Sequence, residues 1–207
     1  MDIKNEFIEF MENKFKYLVL KQPLFYDFEY ALRFGLHDIV KHYPDVYENG
    51  GEYFIQGLNR AKELFIEIFN DCNELFFVYR NNKIEFSDKI FENVLDLKED
   101  EIAKILENGI YEENIKTCLA VIKLNINRIN YENISNSINN TDFGGREPRT
   151  DGEVYFVHIK NEIIFQMYDD RGVDIIGANK KSLEHLYKNY NKWLIDYDRE
   201  KMVNLFK

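Results

Sequence analysis

Cysteine is scarce. Cys72 and Cys118 are the two thiols among 207 residues, so a secreted disulfide framework is excluded and a single bridge is the ceiling. Free thiols in a reducing cytosol are the expectation. Long apolar runs are missing as well. The best stretches, Leu75 to Tyr79 and Ile163 to Tyr168, have strand length, far short of the roughly 20 residues needed to cross a bilayer as a helix. The opening Met1-Asp2-Ile3-Lys4-Asn5-Glu6 has neither the basic start nor the apolar core of a signal peptide. Positive charge is in deficit: 27 Lys and Arg face 37 Asp and Glu, a net of -10. Binding phosphates or resting on an anionic membrane needs the opposite balance. No nucleic acid, no membrane and a cytoplasmic location are therefore expected.

Signatures of chemistry are thin too. The sequence has no Gly-x-Ser-x-Gly elbow. Cys72 and Cys118 lack the close basic neighbours that lower a thiol's pKa. His37 and His42 stand five apart, about 140° around a helix, and do not converge on one metal. His158 alternates within a strand and reads as a packed or surface residue, not a catalytic base. Asp142-Phe143-Gly144-Gly145-Arg146-Glu147-Pro148-Arg149 pairs two glycines with two arginines but lacks the P-loop spacing and its Lys-Ser/Thr ending, so it reads as a plain loop. No catalytic residue, metal or cofactor is expected.

What is present is aromatic and patterned. Aromatic side chains make up 15% of the chain, too many for a disordered polymer. Ile3, Phe7, Phe10 and Met11 share one face of an opening helix. Tyr30 to Leu36 reads as a weak strand, and Asn49-Gly50-Gly51 as a loop. Phe54, Gly57, Leu58, Ala61, Leu64, Phe65 and Ile68 then repeat at helical spacing. Leu75 to Tyr79 reads as a strand buried on both faces. Ser87 is placed to cap a helix through about Leu95, and Asp96 another through Leu106. Thr117 to Ile126 is strand-like, with a helical stretch near Tyr131 to Ile138. The 139–152 loop is the one candidate for an internal boundary in a single α+β domain spanning 1–207. It divides the charge unevenly: residues 1–150 carry 18 basic and 27 acidic side chains, residues 151–207 nine and ten.

The last stretch is the most legible. Val154 to Ile159, Ile163 to Tyr168 and Val173 to Gly177 form three short strands at near-regular spacing. Asp169-Asp170-Arg171-Gly172 joins the second and third, with Asp first and Gly fourth as a type I turn prefers. Leu183, Leu186, Tyr187, Tyr190, Trp193 and Leu194 make a helical stripe behind a cap at Asn179 or Ser182. A meander followed by a covering helix gives an α+β fold, an antiparallel sheet packed by amphipathic helices.

Several of these runs resemble one bacterial family, the domain of unknown function 3885. They are Val154 to Val157, Ile163 to Asp174, and Leu186 to Lys201, with its Asp196-Tyr197-Asp198-Arg199-Glu200. Ala31-Leu32-Arg33-Phe34-Gly35 and the helix around Asn59-Arg60-Ala61 are similar as well. The resemblance implies a small cytosolic bacterial protein of α+β type and no established activity.

Two clusters are the candidate binding residues: Asp169, Asp170, Arg171 and Asp174 at the meander turn, and Asp198 with Arg199. Three carboxylates in one turn suit a hard cation, but the spacing is not that of an EF-hand, and Arg171 neutralises one acid. A charged hairpin in which Asp170 or Asp174 pairs with Arg171 explains the pattern. Asp198 fits an N-cap for a last helix through Phe206, and a buried network joining Arg199 to the meander turn would account for the arginine. The acidic surface and aromatic supply point to a non-enzymatic interaction protein of immunity or antitoxin type, whose partner is a basic toxin. The alternative is a small-molecule-binding or enzymatic protein with a carboxylate and arginine site at the Asp169 to Asp174 turn. A homo-oligomer formed by strand addition at the meander edge is the third reading.

Overall fold

The computed structural model describes residues 2–38, 50–81, 95, 110–112 and 117–207. The helices expected after Ser87 and Asp96 lie outside these, apart from Leu95, which forms an isolated bridge with Ile129. Seven strands make one sheet in the order β1-β7-β6-β5-β2-β4-β3: β1 Ala31–Gly35, β2 Glu74–Asn81, β3 Ile110–Glu112, β4 Thr117–Asn125, β5 Glu153–His158, β6 Ile163–Asp169 and β7 Gly172–Gly177. Every pairing is antiparallel. The helices are α1 Ile3–Lys14, α2 Gly50–Phe69, α3 Tyr131–Asn139, α4 Lys180–Asn189 and α5 Arg199–Phe206. This is the α+β fold with a C-terminal meander, β5-β6-β7, that the sequence announces. No helix among the described residues is long and apolar enough to cross a membrane.

Both faces of the sheet are covered, which is why Leu75 to Tyr79 are all fully buried although the strand is antiparallel. On one face, Phe65 of α2 sits 5.0 Å from Phe156, 5.6 Å from Phe165 and, stacked, 3.9 Å from Tyr131 of α3. On the other, Phe7 and Phe10 of α1 pack on Phe76 at 5.3 and 5.8 Å. The same face carries Arg33, Asp174 and Gln166, directly opposite one another in β1, β7 and β6. β2 pairs with β4 on one side and β5 on the other, so the chain before and after the 139–152 loop enters one sheet.

Three local expectations need correction. Gly50 and Gly51 are the first residues of α2, not a loop ahead of it. The stripe that ends on Leu194 belongs to two elements, because α4 stops at Asn189 and a 3₁₀ turn carries Asn191 to Trp193; Asn179 supplies the cap, its side chain accepting from the Ser182 amide at 3.1 Å. The meander has no open edge for strand addition. β5 is paired by β2 and β7 by β1, and the outer side of β1 is closed in turn: the Ile195 amide donates to Arg33 O at 3.1 Å, and Phe34 bridges Leu194.

Candidate functional site

The meander turn is built by its own side chains. Asp169 accepts from the Arg171 amide at 2.7 Å, an Asx-type turn, and from Arg171 Nε at 2.8 Å and Nη2. Arg171 is thus paired with Asp169, not with Asp170 or Asp174: the tight turn puts the guanidinium back over residue 169. The bond to Asp169 pushes the Arg171 pKa up. A Cβ on Gly172 would collide with the Tyr168 hydroxyl and the Phe34 carbonyl, so only glycine closes the turn here.

Asp170 faces the other way, toward α2. Its carboxylate accepts from the Tyr53 hydroxyl at 2.5 Å and its carbonyl lies 2.8 Å from His37 Nε2. The His37 ring stacks on Tyr53 with centroids 3.7 Å apart. Gly57 makes room for this stack, since a Cβ there would stand 2.9 Å from His37 Cε1. Burial pushes the Asp170 carboxyl up against the pull of Tyr53, and burial lowers His37. Asp142, Asp169 and Asp170 bring carboxylate oxygens within 4.8 Å of one another. Asp142 therefore replaces Asp174 in the group that sequence reasoning considered for a cation, and Arg171 and Tyr53 already engage two of its three members.

Asp174 lies deeper, on the opposite face, and is fully buried. Arg33 grips it with Nε at 2.7 Å and Nη2 at 2.8 Å, and the Phe25 amide donates to it at 3.1 Å. Arg33 Nη1 reaches Asp198 at 3.4 Å, and the Tyr26 hydroxyl donates to Asp198 at 3.0 and 3.1 Å. The guanidinium also lies over the rings of Phe25, Tyr26 and Tyr168 at 4.9, 4.7 and 5.1 Å. Burial opposes the charge on both partners. For Arg33 the bond to Asp174 outweighs it and holds the guanidinium charged; for Asp174 burial pushes upward while Arg33 and the Phe25 amide pull back.

The predicted binding residues therefore do not converge on one site: Asp169, Asp170 and Arg171 stay together at the turn, while Asp174 lies on the opposite face of the sheet. Asp174 and Asp198 meet through Arg33; Asp169 holds Arg171; Asp170 holds Tyr53. Asp198 occupies the N-cap position of α5 but makes no side-chain cap bond, because Tyr26 and Arg33 take its carboxylate. Arg199 stays local, bonded to Asp196 at 2.8 Å, to the Asn191 carbonyl and side chain at 3.2 Å and to the Leu194 carbonyl at 2.8 Å, and does not reach the meander turn. The arginine that joins the C-terminal segment to the meander is Arg33. Its signal in the sequence is a lone cation inside an apolar strand, matched by the lone acid in Val173-Asp174-Ile175. Tyr26 and Tyr53 carry no comparable signal. His158 is buried and bonds Asp71 at 3.2 Å, while its Nδ1 accepts from the Asn161 amide at 3.2 Å. Cys72 donates to the Glu74 carbonyl at 3.2 Å, and burial pushes its thiol up to about 11, so it is not an activated nucleophile.

The elements that carry these nodes, from α1 to the end of the Asp196 to Asp198 turn, coincide with the span of a family model. That model, Domain of unknown function (DUF3885), matches residues 7–198. The chain belongs to this family. Among curated proteins, the Uncharacterized protein YnaE of Bacillus subtilis (strain 168) is 42% identical over 45 residues, which covers 22% of this chain and 21% of that protein. No solved structure matches. All four arginine-bearing or acid-bearing nodes, at Arg33, Tyr53, Arg171 and Arg199, fall within the family span or border it.

Proposed function

We propose that this DUF3885 protein is a non-enzymatic, cytoplasmic interaction domain of immunity or antitoxin type that binds and neutralises a basic protein. One observation carries the reading: among the described residues, burial hides almost none of the acidic excess. The buried arginines and carboxylates among the described residues are Arg33, Arg60 and Arg80 against Asp169, Asp170, Asp174 and Asp198. They nearly cancel, so burial takes little of the acidic excess carried by the described residues. A surface of that kind accelerates encounter with a basic partner and competes with phosphate for it. Aromatic anchors lie beside it. Tyr197 is 89% exposed and Tyr26 is 51% exposed, and Tyr26 is held in place by Asp198. Asp27, Asp196 and Glu200 are exposed around them.

The test is affinity capture of the tagged full chain from a native lysate, washed at low and high salt. A protein of high isoelectric point, retained at low salt and partly lost at high salt, is then purified and its association rate measured against ionic strength. The proposal expects that rate to fall steeply as salt rises. A salt-independent rate, an acidic partner or an empty capture refutes it.

A further inference from the structure

The turn between β5 and β6 is Ile159-Lys160-Asn161-Glu162. It has neither glycine nor proline, yet Glu162 sits in the left-handed region at φ 55°, where a residue with a Cβ is strained. Contacts, not turn propensity, therefore hold its shape. The Glu162 carbonyl accepts from the Ala178 amide at 3.0 Å, just before α4, and its carboxylate meets Lys14 at the end of α1 at 2.5 Å. The third hold is on a titratable ring: the Asn161 amide donates to His158 Nδ1 at 3.2 Å.

The surroundings of that ring fix its proton. A backbone N–H can only donate, so Nδ1 is bare; Nε2 then carries the hydrogen and donates to Asp71 at 3.2 Å, as a neutral imidazole with one donor and one acceptor does. The side chain is 1% exposed and stacks on Phe69 of α2 with centroids 5.4 Å apart. Its register partners are Leu75 in β2 and Ile163 in β6. The charged groups that face it are Asp71, after α2, and Lys160, whose Nζ holds Asp71 at 2.7 Å; Asn161 Nδ2 donates to the same carboxylate at 3.1 Å. Asp71 favours the imidazolium, but only through Nε2. A proton added at Nδ1 sets N–H against the Asn161 N–H, which the attraction of Asp71 does not relieve. The charged ring and the folded turn therefore exclude each other. Burial lowers the ring from its ordinary 6.5, so the closed turn is complete above that value and is lost as pH falls below it.

We propose that the β5–β6 turn is an acid-operated latch: proton uptake at His158 Nδ1 expels the Asn161 amide, Glu162 relaxes from its left-handed conformation, and the holds on Lys14 and the Ala178 amide are released. The inference is independent of the partner-binding reading above.

The experiment is NMR of the ¹⁵N-labelled full chain from about pH 7.5 down to about pH 5. Long-range proton–nitrogen spectra read the His158 tautomer, and amide exchange, corrected for its intrinsic pH dependence, reads the turn. The expected result is an Nε2–H ring at the upper end. As His158 titrates, the Asn161 and Ala178 amides lose about tenfold or more in protection, while those of Phe77 and Ile164 in the middle of the sheet keep theirs. In Asp71→Asn, which removes the anion that favours the imidazolium, titration and opening move together to lower pH by about one unit. His158→Gln, whose side-chain oxygen can accept from Asn161 and whose nitrogen can donate to Asp71 without titrating, stays closed across the range. The proposal is overturned if the neutral ring carries its hydrogen on Nδ1, or if the two turn amides stay protected while His158 titrates. It is equally overturned if the central amides open with them, if Asp71→Asn leaves the opening pH unmoved, or if His158→Gln opens as wild type does. Should either variant not fold, the wild-type tautomer and the coincidence of the His158 titration with the loss of amide protection decide.

Discussion

Replacing Arg33 by Met tests the buried charge network that joins Arg33 to Asp174 and Asp198. Met keeps an unbranched apolar stem but removes the guanidinium, with its place over the rings of Phe25, Tyr26 and Tyr168. Asp174 is then left fully buried with one remaining donor, the Phe25 amide at 3.1 Å, and Asp198 loses its contact to Nη1. Two charge-assisted bonds at 2.7 and 2.8 Å disappear, each worth about 1.5–3 kcal/mol, and a buried acid is stranded. Breaking such a pair from one side costs about 3–5 kcal/mol. With a urea dependence of about 2 kcal/mol per molar, the midpoint drops by about 2 M. The double variant Arg33→Met with Asp174→Leu removes both charges and recovers most of the loss, because a matched apolar pair is often as stable as the ion pair. The sign with pH is fixed. A stranded carboxyl has a folded pKa raised above its unfolded value, so its penalty is small at acid pH and grows as pH rises through the folded value. Urea denaturation of wild type, single and double variants at pH 7 and pH 4.5 reads all three effects. A single-variant loss under about 1 kcal/mol at pH 7, or a double variant no better than the single, refutes the buried pair.

Tyr53→Phe removes the hydroxyl that donates to Asp170 and costs about 1–3 kcal/mol at neutral pH; denaturation at pH 7 and 4.5 should show the loss shrinking in acid, where Asp170 protonates. His158, lowered first by burial from an ordinary 6.5, makes stability depend on pH in the opposite sense. The histidine binds protons more readily unfolded, so its contribution is complete above pH 6.5 and is lost as pH falls through the lower folded value; a melting profile from pH 7.5 to 5 that His158→Gln leaves unchanged would count against this. Tyr197→Ala should leave the unfolding free energy within about 0.5 kcal/mol of wild type yet weaken capture of the proposed basic partner by tenfold or more, about 1.4 kcal/mol. Unchanged affinity removes Tyr197 from the interface.

What could be read from the sequence was local. The β5-β6-β7 meander rests on alternation over a few residues and on an Asp-x-x-Gly turn, all contained within 25 residues of chain, and α4 rests on a stripe and a cap. What could not be read was non-local or shared. Phe77 opposite Phe156 joins strands nearly 80 positions apart, and no local pattern specifies that register. Gly50 and Gly51 look like a loop by propensity, yet they begin α2, whose place is set by Tyr53 and Gly57 meeting Asp170 and His37. Asp198 reads as a cap because capping is the commonest local use of such a residue. Arg33, 165 residues away, gives it another use. Among the candidate site residues, their burial within a polar framework was legible, while their partners were not.

Salt would separate the structural use of charge in this protein from the partner-binding use proposed for it. Pairs such as Arg33 with Asp174 lie inside the low-dielectric core, where mobile ions do not reach them, whereas exposed acids act through water and are screened over about 8 Å at physiological ionic strength. Raising salt should therefore leave the unfolding free energy nearly constant while it slows association with a basic partner. The Asp169–Arg171 turn gives a matching contrast. Arg171 is 70% exposed and bonded to a residue two positions away, so its loss to Ala is a local event for the turn. If the turn were the recognition site, Arg171→Ala would change binding while its salt dependence stayed weak. If the dispersed acidic surface does the work, removing a cation strengthens the attraction, and association with the basic partner becomes faster and more sensitive to salt.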